Sequence, residues 1–132
     1  MIELRYCTVE WTPSGCFSRF HDGRAFAAHP HPEMPHYHAI AYRLGYEGDT
    51  LRFCREHEIS HHVVAEQFDQ PSLVLWALAH GTEPSAFGAA GEEALAMSLQ
   101  AYARTNQPPF VDRIDWSRAR ARFLSVLEKA DA

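Results

Sequence analysis

The chain has 132 residues, a length typical of one domain, and a single domain spanning residues 1–132 is expected. Hydrophobic residues make up 46% and charged residues 22%, which excludes the disordered and fibrous classes. The formal net charge of -5 repels phosphate backbones, so nucleic acid is excluded as a primary partner.

The N-terminus and the cysteines indicate the compartment. The first residues, MIELRYCTVEW, have neither the basic leader nor the apolar run of a signal peptide, and no stretch is long enough to span a bilayer. The cysteines, at positions 7, 16 and 54, are few and odd in number, which argues against a disulfide framework. We therefore expect a cytoplasmic protein with reduced thiols and no membrane partner.

The first part of the chain has the pattern of a small antiparallel sheet. Residues 2–11 alternate between polar and apolar side chains, which predicts a strand. Residues 16–28 predict a hairpin, because the Asp-Gly pair at its centre tolerates the positive φ of a tight turn. Three prolines in residues 29–35 favour an extended loop. Residues 36–43, HYHAIAYR, alternate again and predict a further strand.

Helical periods follow the predicted strands. Residues 50–68 repeat apolar side chains at spacings of three and four, and Asp49 can cap the start of this helix. Further helices are predicted at 71–80, 91–105 and 115–130. The side chains expected to face inward from the last helix are Trp116, Ala119, Phe123, Val126 and Leu127. The expected fold class is α+β, with a small N-terminal antiparallel sheet followed by about four helices.

Histidines are concentrated in the first 80 positions, and two of them form a metal-site motif in the helix predicted at 50–68. The sequence His-Glu-Ile-Ser-His at 57–61 places two imidazoles one helical turn apart, so both rings can reach one ion. The glutamate between them can accept a proton from a water molecule that attacks a polarised carbonyl. The motif predicts one Zn2+ ion bound by His57 and His61, with Glu58 as general base in amide hydrolysis.

This motif resembles the His-Glu-x-x-His helix of the zincin metalloproteases. In that family the two histidines bind zinc and the glutamate is the general base, which implies these roles for His57, His61 and Glu58. The metzincin extension is missing, because Val64 and Gln67 stand where it needs glycine and histidine. The resemblance is therefore to the gluzincin type, in which a glutamate on a later helix completes the site, and it implies a zincin-like fold.

Two glutamates in the helix predicted at 91–105 are candidates for the third ligand. Glu92 and Glu93 follow His61 by 31 and 32 positions, and Glu-Glu-Ala-Leu-Ala is similar to the corresponding helix of small gluzincin-like proteins. On a helical wheel Glu92 lies closer to the apolar side than Glu93 does. We therefore predict Glu92 as the third ligand, with Glu93 and His80 as alternatives.

The resemblance implies further parts of a protease site. In zincins an edge strand beside the active helix receives the substrate backbone, and residues 36–43 are the candidate for this strand. Family members also use a nearby histidine or tyrosine to stabilise the tetrahedral oxyanion, and His80 and Tyr102 are the candidates here. The resemblance thus implies a peptide or protein substrate.

The remaining histidines have simpler interpretations. His62 points about 100° away from His61 around the helix, and we predict that it pairs with Glu66 one turn later. The histidines of the proline-rich loop are interpreted as a solvated surface, with a separate ion as the alternative. These are His29, His31, His36 and His38, of which His38 is also a candidate for contact with the main site. The arginines at 118, 120 and 122 are predicted to lie on a solvated helix face.

Together these inferences predict a zinc-dependent, gluzincin-like peptidase or amidase. The alternative is a catalytically inactive zincin-shaped module that binds metal for stability or regulation, since a small domain has little room for a substrate cleft. A metal-free interaction domain is a third hypothesis. The patterns do not indicate a particular substrate or oligomeric state.

Overall fold

The chain folds as an antiparallel sheet followed by helices. The computed structural model describes residues 1–12, 15–28, 35–111 and 113–130, and only the backbone of residues 35 and 36. Within these residues the strands are β1 (Ile2–Glu3), β2 (Cys7–Thr12), β3 (Gly15–Phe20) and β4 (Ala25–Ala28), in the order β1-β2-β3-β4. The helices are α1 (Pro35–Arg43), α2 (Thr50–Glu66), α3 (Leu73–Ala79), α4 (Ala86–Thr105) and α5 (Trp116–Ala130). The predicted α+β class with an N-terminal antiparallel sheet is confirmed.

The hairpin of β3 and β4 forms at the predicted Asp-Gly turn. Gly23 has a φ of 94°, a conformation that glycine adopts without steric conflict. The Oδ1 atom of Asp22 accepts a hydrogen bond from the backbone N–H of Arg24 at 3.0 Å. The hairpin makes β4 an edge strand of the described sheet. Most of the loop predicted at 29–35, with His29 and His31, lies outside the described residues.

Residues 2–11 form two strands, so the prediction of one strand is wrong. β1 pairs with β2, with Ile2 opposite Val9, and the N–H of Leu4 donates to the carbonyl of Cys7 at 2.8 Å in the turn between them. Ile2 and Leu4 are buried at even positions, whereas Cys7 and Val9 are buried at odd positions. This change of phase marks the strand boundary, because a strand cannot keep both sets on one face.

Residues 36–43 are helical, in α1, so the strand predicted there is wrong. Pro35 is the first residue of the helix, where its fixed φ suits the helix and its missing N–H is not needed. Ala41 is buried in a small cluster with Tyr46 and Phe53. The apolar residues of this segment fit a helical period as well as an alternation, and these are Tyr37, Ile40, Ala41 and Leu44. Because α1 packs on α2, it does not extend the sheet.

α2 is surrounded by other elements. It packs against α4 and α5, and residues 59–65 of its second half are all buried. The side chain of Asp49 caps its start, as predicted, by accepting a hydrogen bond from the N–H of Arg52 at 3.1 Å. Leu51, near its start, and Phe68, two residues after its end, belong to the apolar repeat predicted at 50–68 but are 49% and 42% exposed. Successive side chains in the second half of α2 therefore face different neighbouring elements.

The later helices lie close to their predicted positions. α4 begins at Ala86, five residues earlier than predicted, because the Oγ atom of Ser85 accepts a hydrogen bond from the N–H of Gly88 and caps the helix. Two glycines in this first part, at 88 and 91, lower its helix propensity and explain the misplaced boundary. α5 buries the predicted inward face, with Leu127 partly buried. Among the described residues, none of the helices combines the length and apolar character needed to cross a membrane.

Candidate metal centre

α2 presents the two motif histidines to α4. The Nε2 atoms of His57 and His61 lie 3.2 Å apart. The ring of His57 stacks on Phe53, one turn earlier, with 5.3 Å between the ring centroids, and this contact restricts its rotation. His61 is buried, whereas the side chain of His57 is 17% exposed. The two imidazoles thus converge near the protein surface, as their spacing predicts.

Glu93 of α4 completes this cluster. One carboxylate oxygen, Oε1, lies 2.7 Å from Nε2 of His57, and the other, Oε2, lies 2.8 Å from Nε2 of His61. Among the described residues, these three side chains form a group whose ligand atoms all lie within 4.8 Å of one another and could hold a metal ion. The side chain of Glu93 is 48% exposed, so the cluster is open to solvent on this side.

The opposite nitrogen of each imidazole is held by an acceptor. Nδ1 of His57 donates to Oε1 of Gln100 at 2.6 Å, and Nδ1 of His61 donates to Oε2 of Glu92 at 2.7 Å. The amide nitrogen of Gln100 donates to the hydroxyl of Tyr46, which fixes the amide orientation. Each Nδ1 therefore carries a proton, and Nε2 is the nitrogen of each ring that a metal ion would bind in place of the proton shared with Glu93. Histidines that bind metals in proteins are held in this way, so the residues present fit a metal ion.

Glu92 lies behind His61 and does not face the paired Nε2 atoms. Besides Nδ1 of His61, it accepts hydrogen bonds from Oγ of Ser72 at 2.7 Å and from the N–H of Leu73 at 2.9 Å. Three donors therefore occupy its two oxygens. The helical wheel correctly indicates that Glu92 is the more buried glutamate. Its buried position places it at Nδ1 of His61, on the opposite side of the ring from Nε2. The geometry favours the alternative, Glu93, over the predicted Glu92 as the third ligand.

Glu58 points towards the sheet. Its Oε1 atom accepts a hydrogen bond from Oγ of Ser18 on β3 at 3.1 Å, and the residue is 8% exposed. Burial raises the pKa of the Glu58 carboxyl above its ordinary value, against the opposing effects of His61, the Ser18 hydrogen bond and His57. Glu58 and His57 line a cavity of about 90 Å3. The other side chains that line it are Trp11, Cys16, Ala28, Tyr37, Phe53 and Cys54.

The predicted pair of His62 and Glu66 is wrong. Nε2 of His62 lies 2.9 Å from Oγ of Ser18, and burial lowers the pKa of this imidazole to about 3, with a further contribution from His61. Glu66 instead accepts a hydrogen bond from Nε of Arg122 at 3.1 Å. The prediction considered a partner on the same helix, but the sheet covers this side of α2 and supplies the partners of His62.

The charges within the cluster favour a cation. Burial lowers the pKa of the His61 imidazole, but its hydrogen bonds to Glu92 and Glu93 outweigh burial and raise the pKa to about 9. Burial raises the pKa of Glu93, but its hydrogen bonds to His57 and His61 outweigh that effect, so the net shift is downward. Glu93 is therefore ionised at neutral pH. A metal ion can replace the protons held between an ionised carboxylate and two imidazoles, and it would then bind the same atoms.

The candidates for an oxyanion-binding group lie away from this cluster. Nε2 of His80 lies 2.8 Å from Oδ2 of Asp22, and its ring stacks on Trp76 at 3.9 Å between centroids. The guanidinium of Arg120 lies over the ring of Tyr102 at 5.2 Å. His80 is therefore held by groups outside the cluster and does not join the group of ligand atoms, whereas the contact described for Tyr102 is that of its ring with α5.

Two further predictions concern surface groups. Nδ1 of His38 lies 2.8 Å from Oγ1 of Thr50, and this is the contact that the structure gives His38 in place of one with the main site. Arg118 is exposed, as expected of a solvated face. Arg122 is partly buried and binds Glu66, so the three arginines do not share one environment.

Two side chains that hydrogen-bond to residues of the motif, Gln100 and Ser18, were not singled out from the sequence. Gln100 is fully buried and follows Glu93 by two helical turns, so its spacing on α4 is the signal that could have found it. Ser18 is the polar residue between Cys16 and Phe20 on the inner face of β3. A polar side chain in an otherwise apolar inner face needs a partner, which here is Glu58.

Comparisons with known proteins found no match for this chain. No protein-family model, no curated protein and no solved structure matches it. The resemblance to zincin metalloproteases therefore depends on the motif at 57–61 and on the convergence of three side chains around one point.

Proposed function

We propose that the chain is a zincin-like, zinc-dependent hydrolase of peptide or amide bonds, with His57, His61 and Glu93 as ligands and Glu58 as general base. The observation that carries this proposal is the convergence of the ligand atoms, because the Nε2 atoms of the two imidazoles lie 3.2 Å apart and a carboxylate oxygen of Glu93 lies within 2.8 Å of each. Two nitrogens bound to one tetrahedral Zn2+ at the usual Zn–N length are about 3.3 Å apart. The observed separation fits this value.

Glu93 suits the third position because its two oxygens already reach both Nε2 atoms. Two imidazoles and one carboxylate are the ligand set of several catalytic zinc sites, which keep a fourth position open. When bound, the ion would supply Lewis-acid activation of water and of a substrate carbonyl. The partial exposure of Glu93 leaves this side of the site accessible to a substrate.

Glu58 has the environment of a general base. A carboxylate whose pKa is raised by burial takes up a proton more readily than an exposed one does. Ser18 occupies Oε1, so Oε2 is the oxygen for proton transfer. In the proposed reaction Oε2 accepts a proton from the attacking water and delivers it to the leaving nitrogen when the amide C–N bond breaks.

An extended peptide is the substrate class that the surroundings favour. The cavity beside His57 and Glu58 is lined mainly by apolar side chains and includes Ala28 at the end of β4. β4 is an edge strand of the described sheet, and an edge strand can hydrogen-bond to a peptide backbone. We therefore assign to β4 the role that the sequence analysis gave to residues 36–43.

The test is metal analysis of the purified protein followed by hydrolysis of fluorescein-labelled casein. We expect one zinc per chain in the wild type and in Glu58→Gln, but hydrolysis only in the wild type. His57→Ala should lose both zinc and hydrolysis. Glu128→Gln, at an exposed glutamate of α5, is the matched control and should keep both. Undiminished hydrolysis by Glu58→Gln would contradict the assignment of the base.

A metal-binding module without turnover is the second candidate. It is favoured by the near-complete burial of Glu58 and by the small volume of the adjoining cavity. This candidate predicts that chelation lowers the melting temperature, while no preparation of the wild type hydrolyses casein. Hydrolysis that is lost in Glu58→Gln would exclude it.

A further inference from the structure

A hydrogen-bond chain of four buried side chains joins Glu58 to the sheet. Oγ of Ser18 lies 3.1 Å from Oε1 of Glu58 and 2.9 Å from Nε2 of His62. Nδ1 of His62 lies 3.4 Å from Sγ of Cys7 on β2. All four side chains are buried. The hydrogen bonds thus run from Glu58 on α2 to Ser18 on β3, back to His62 on α2 and on to Cys7 on β2.

When Glu58 is ionised, the state in which it can act as a base, the donors and acceptors of these groups permit one arrangement. The carboxylate of Glu58 only accepts, so Ser18 uses its one hydroxyl proton on Oε1. Oγ of Ser18 must then accept from His62, which places the imidazole proton on Nε2. Neutral His62 therefore has its lone pair on Nδ1, where it accepts from the thiol of Cys7. Every donor in the chain is used, and the order runs from the cysteine to the glutamate.

The helical period places these hydrogen-bonded side chains and the proposed metal ligands on different sides of α2. Glu58 and His62 are one turn apart on α2 and both face Ser18 on β3. The pair of His57 and His61, also one turn apart, faces α4. The two sides of α2 therefore have separate sets of supporting hydrogen bonds, one for the ligands and one for the base.

We propose that Ser18 and His62 are positioning residues that hold the carboxylate of Glu58 in one orientation, with Oε1 bound to the sheet and Oε2 left for proton transfer. This inference rests on the proposed function, because the orientation of a base matters only when there is a proton to accept. Loss of the Ser18 hydroxyl would leave the buried carboxylate of Glu58 without this charge-assisted hydrogen bond. The Glu58 side chain would then adopt other orientations. Removal of such orienting residues typically lowers activity by about 10–100-fold.

The first test uses the tautomer of His62 and needs no substrate. Nitrogen-15 NMR of zinc-loaded, histidine-labelled protein distinguishes the Nε2–H and Nδ1–H forms, with His62→Gln used to assign the signals. We expect Nε2–H in the wild type. In Glu58→Leu the Ser18 hydroxyl is released to donate to Nε2, so His62 should change to Nδ1–H.

The control for this test is Glu66→Gln, which removes the other carboxylate one turn from His62 and should leave the Nε2–H form unchanged. An Nδ1–H form of His62 in the wild type, or an unchanged tautomer in Glu58→Leu, overturns the proposed hydrogen-bond chain. This result is independent of hydrolysis, so failure of the chain and failure of the proposed function can be told apart.

The second test separates positioning from packing. Ser18→Ala should keep one zinc per chain and a wild-type KM for labelled casein, while kcat falls by about 10–100-fold. Ser18→Thr keeps the hydroxyl and should recover most of the loss. Ser60→Ala removes an equally buried hydroxyl that donates to the backbone of His57, and should keep the wild-type kcat. A wild-type kcat in Ser18→Ala, or an equal loss in Ser18→Thr, overturns the positioning role.

Discussion

The neighbouring glutamates of α4 should respond differently to the same substitution by glutamine. Glu92 accepts hydrogen bonds from His61 and Ser72 on Oε2 and from the N–H of Leu73 on Oε1. Because an amide has one oxygen, Glu92→Gln must leave one of these two sides without an acceptor. The hydrogen bonds described for Glu93, by contrast, are those to the Nε2 atoms of the two histidines.

The structure sets the size of each effect. A hydrogen bond to a charged group contributes about 1.5–3 kcal/mol, so Glu92→Gln should lower the free energy of unfolding of the metal-free protein by about that amount. It should also weaken zinc binding by about 10–100-fold, or about 1.4–2.8 kcal/mol, because Nδ1 of His61 loses an anionic acceptor. Glu93 is half exposed, so Glu93→Gln should change the metal-free stability by only about 0–1 kcal/mol but weaken zinc binding further than Glu92→Gln does.

The assay is urea unfolding in the presence of a chelator, combined with zinc competition against a chromophoric chelator, for the wild type and both variants. The expected pattern is a larger stability loss in Glu92→Gln and a larger affinity loss in Glu93→Gln. The reverse order of affinities would refute the geometric argument and restore Glu92 as the ligand.

Three further predictions concern the metal, the core and the thiols. Free zinc at about 100 times its Kd should stabilise the fold by about 2.7 kcal/mol, and calorimetry that shows no fall in Tm on chelation would contradict a resident ion. Phe123→Ala removes a fully buried ring and should lower the free energy of unfolding in urea by about 3–5 kcal/mol; a loss below about 1 kcal/mol would contradict its place in the core. Burial raises the pKa of the Cys7 thiol to about 12 and also raises the pKa of the Cys16 thiol. An alkylating reagent near pH 8 should therefore modify the partly exposed Cys54 first. Equal labelling of the three cysteines, measured by mass spectrometry, would contradict this prediction.

Elements with strong local signals were predicted from sequence. The hairpin of β3 and β4 depends on one Asp-Gly pair, and α5 on a regular apolar period that needs no information from the rest of the chain. α2 combines such a period with a capping aspartate. In each case the interactions that define the element lie within a few residues of one another.

Elements whose pattern fits two periods were not predicted correctly. HYHAIAYR satisfies both an alternation and a helical repeat, and its burial against Phe53 of α2 decides for the helix. The alternation taken over residues 2–11 breaks where the apolar Tyr6 and Cys7 are adjacent, and there the buried positions change from even to odd between β1 and β2. His62 was paired with Glu66 from their spacing on one helix, whereas the sheet covers this second side of α2 and places Ser18 against His62.

The sequence by itself determined that His57 and His61 share one side of a helix, because residues four apart lie together in any α-helix. It also determined that two neighbouring carboxylates, Glu92 and Glu93, lie on a later helix. Only the tertiary structure decided which carboxylate meets the imidazoles, because this depends on how α4 is rotated against α2. That rotation takes the more buried Glu92 to Nδ1 of His61 and leaves the half-exposed Glu93 beside the Nε2 atoms.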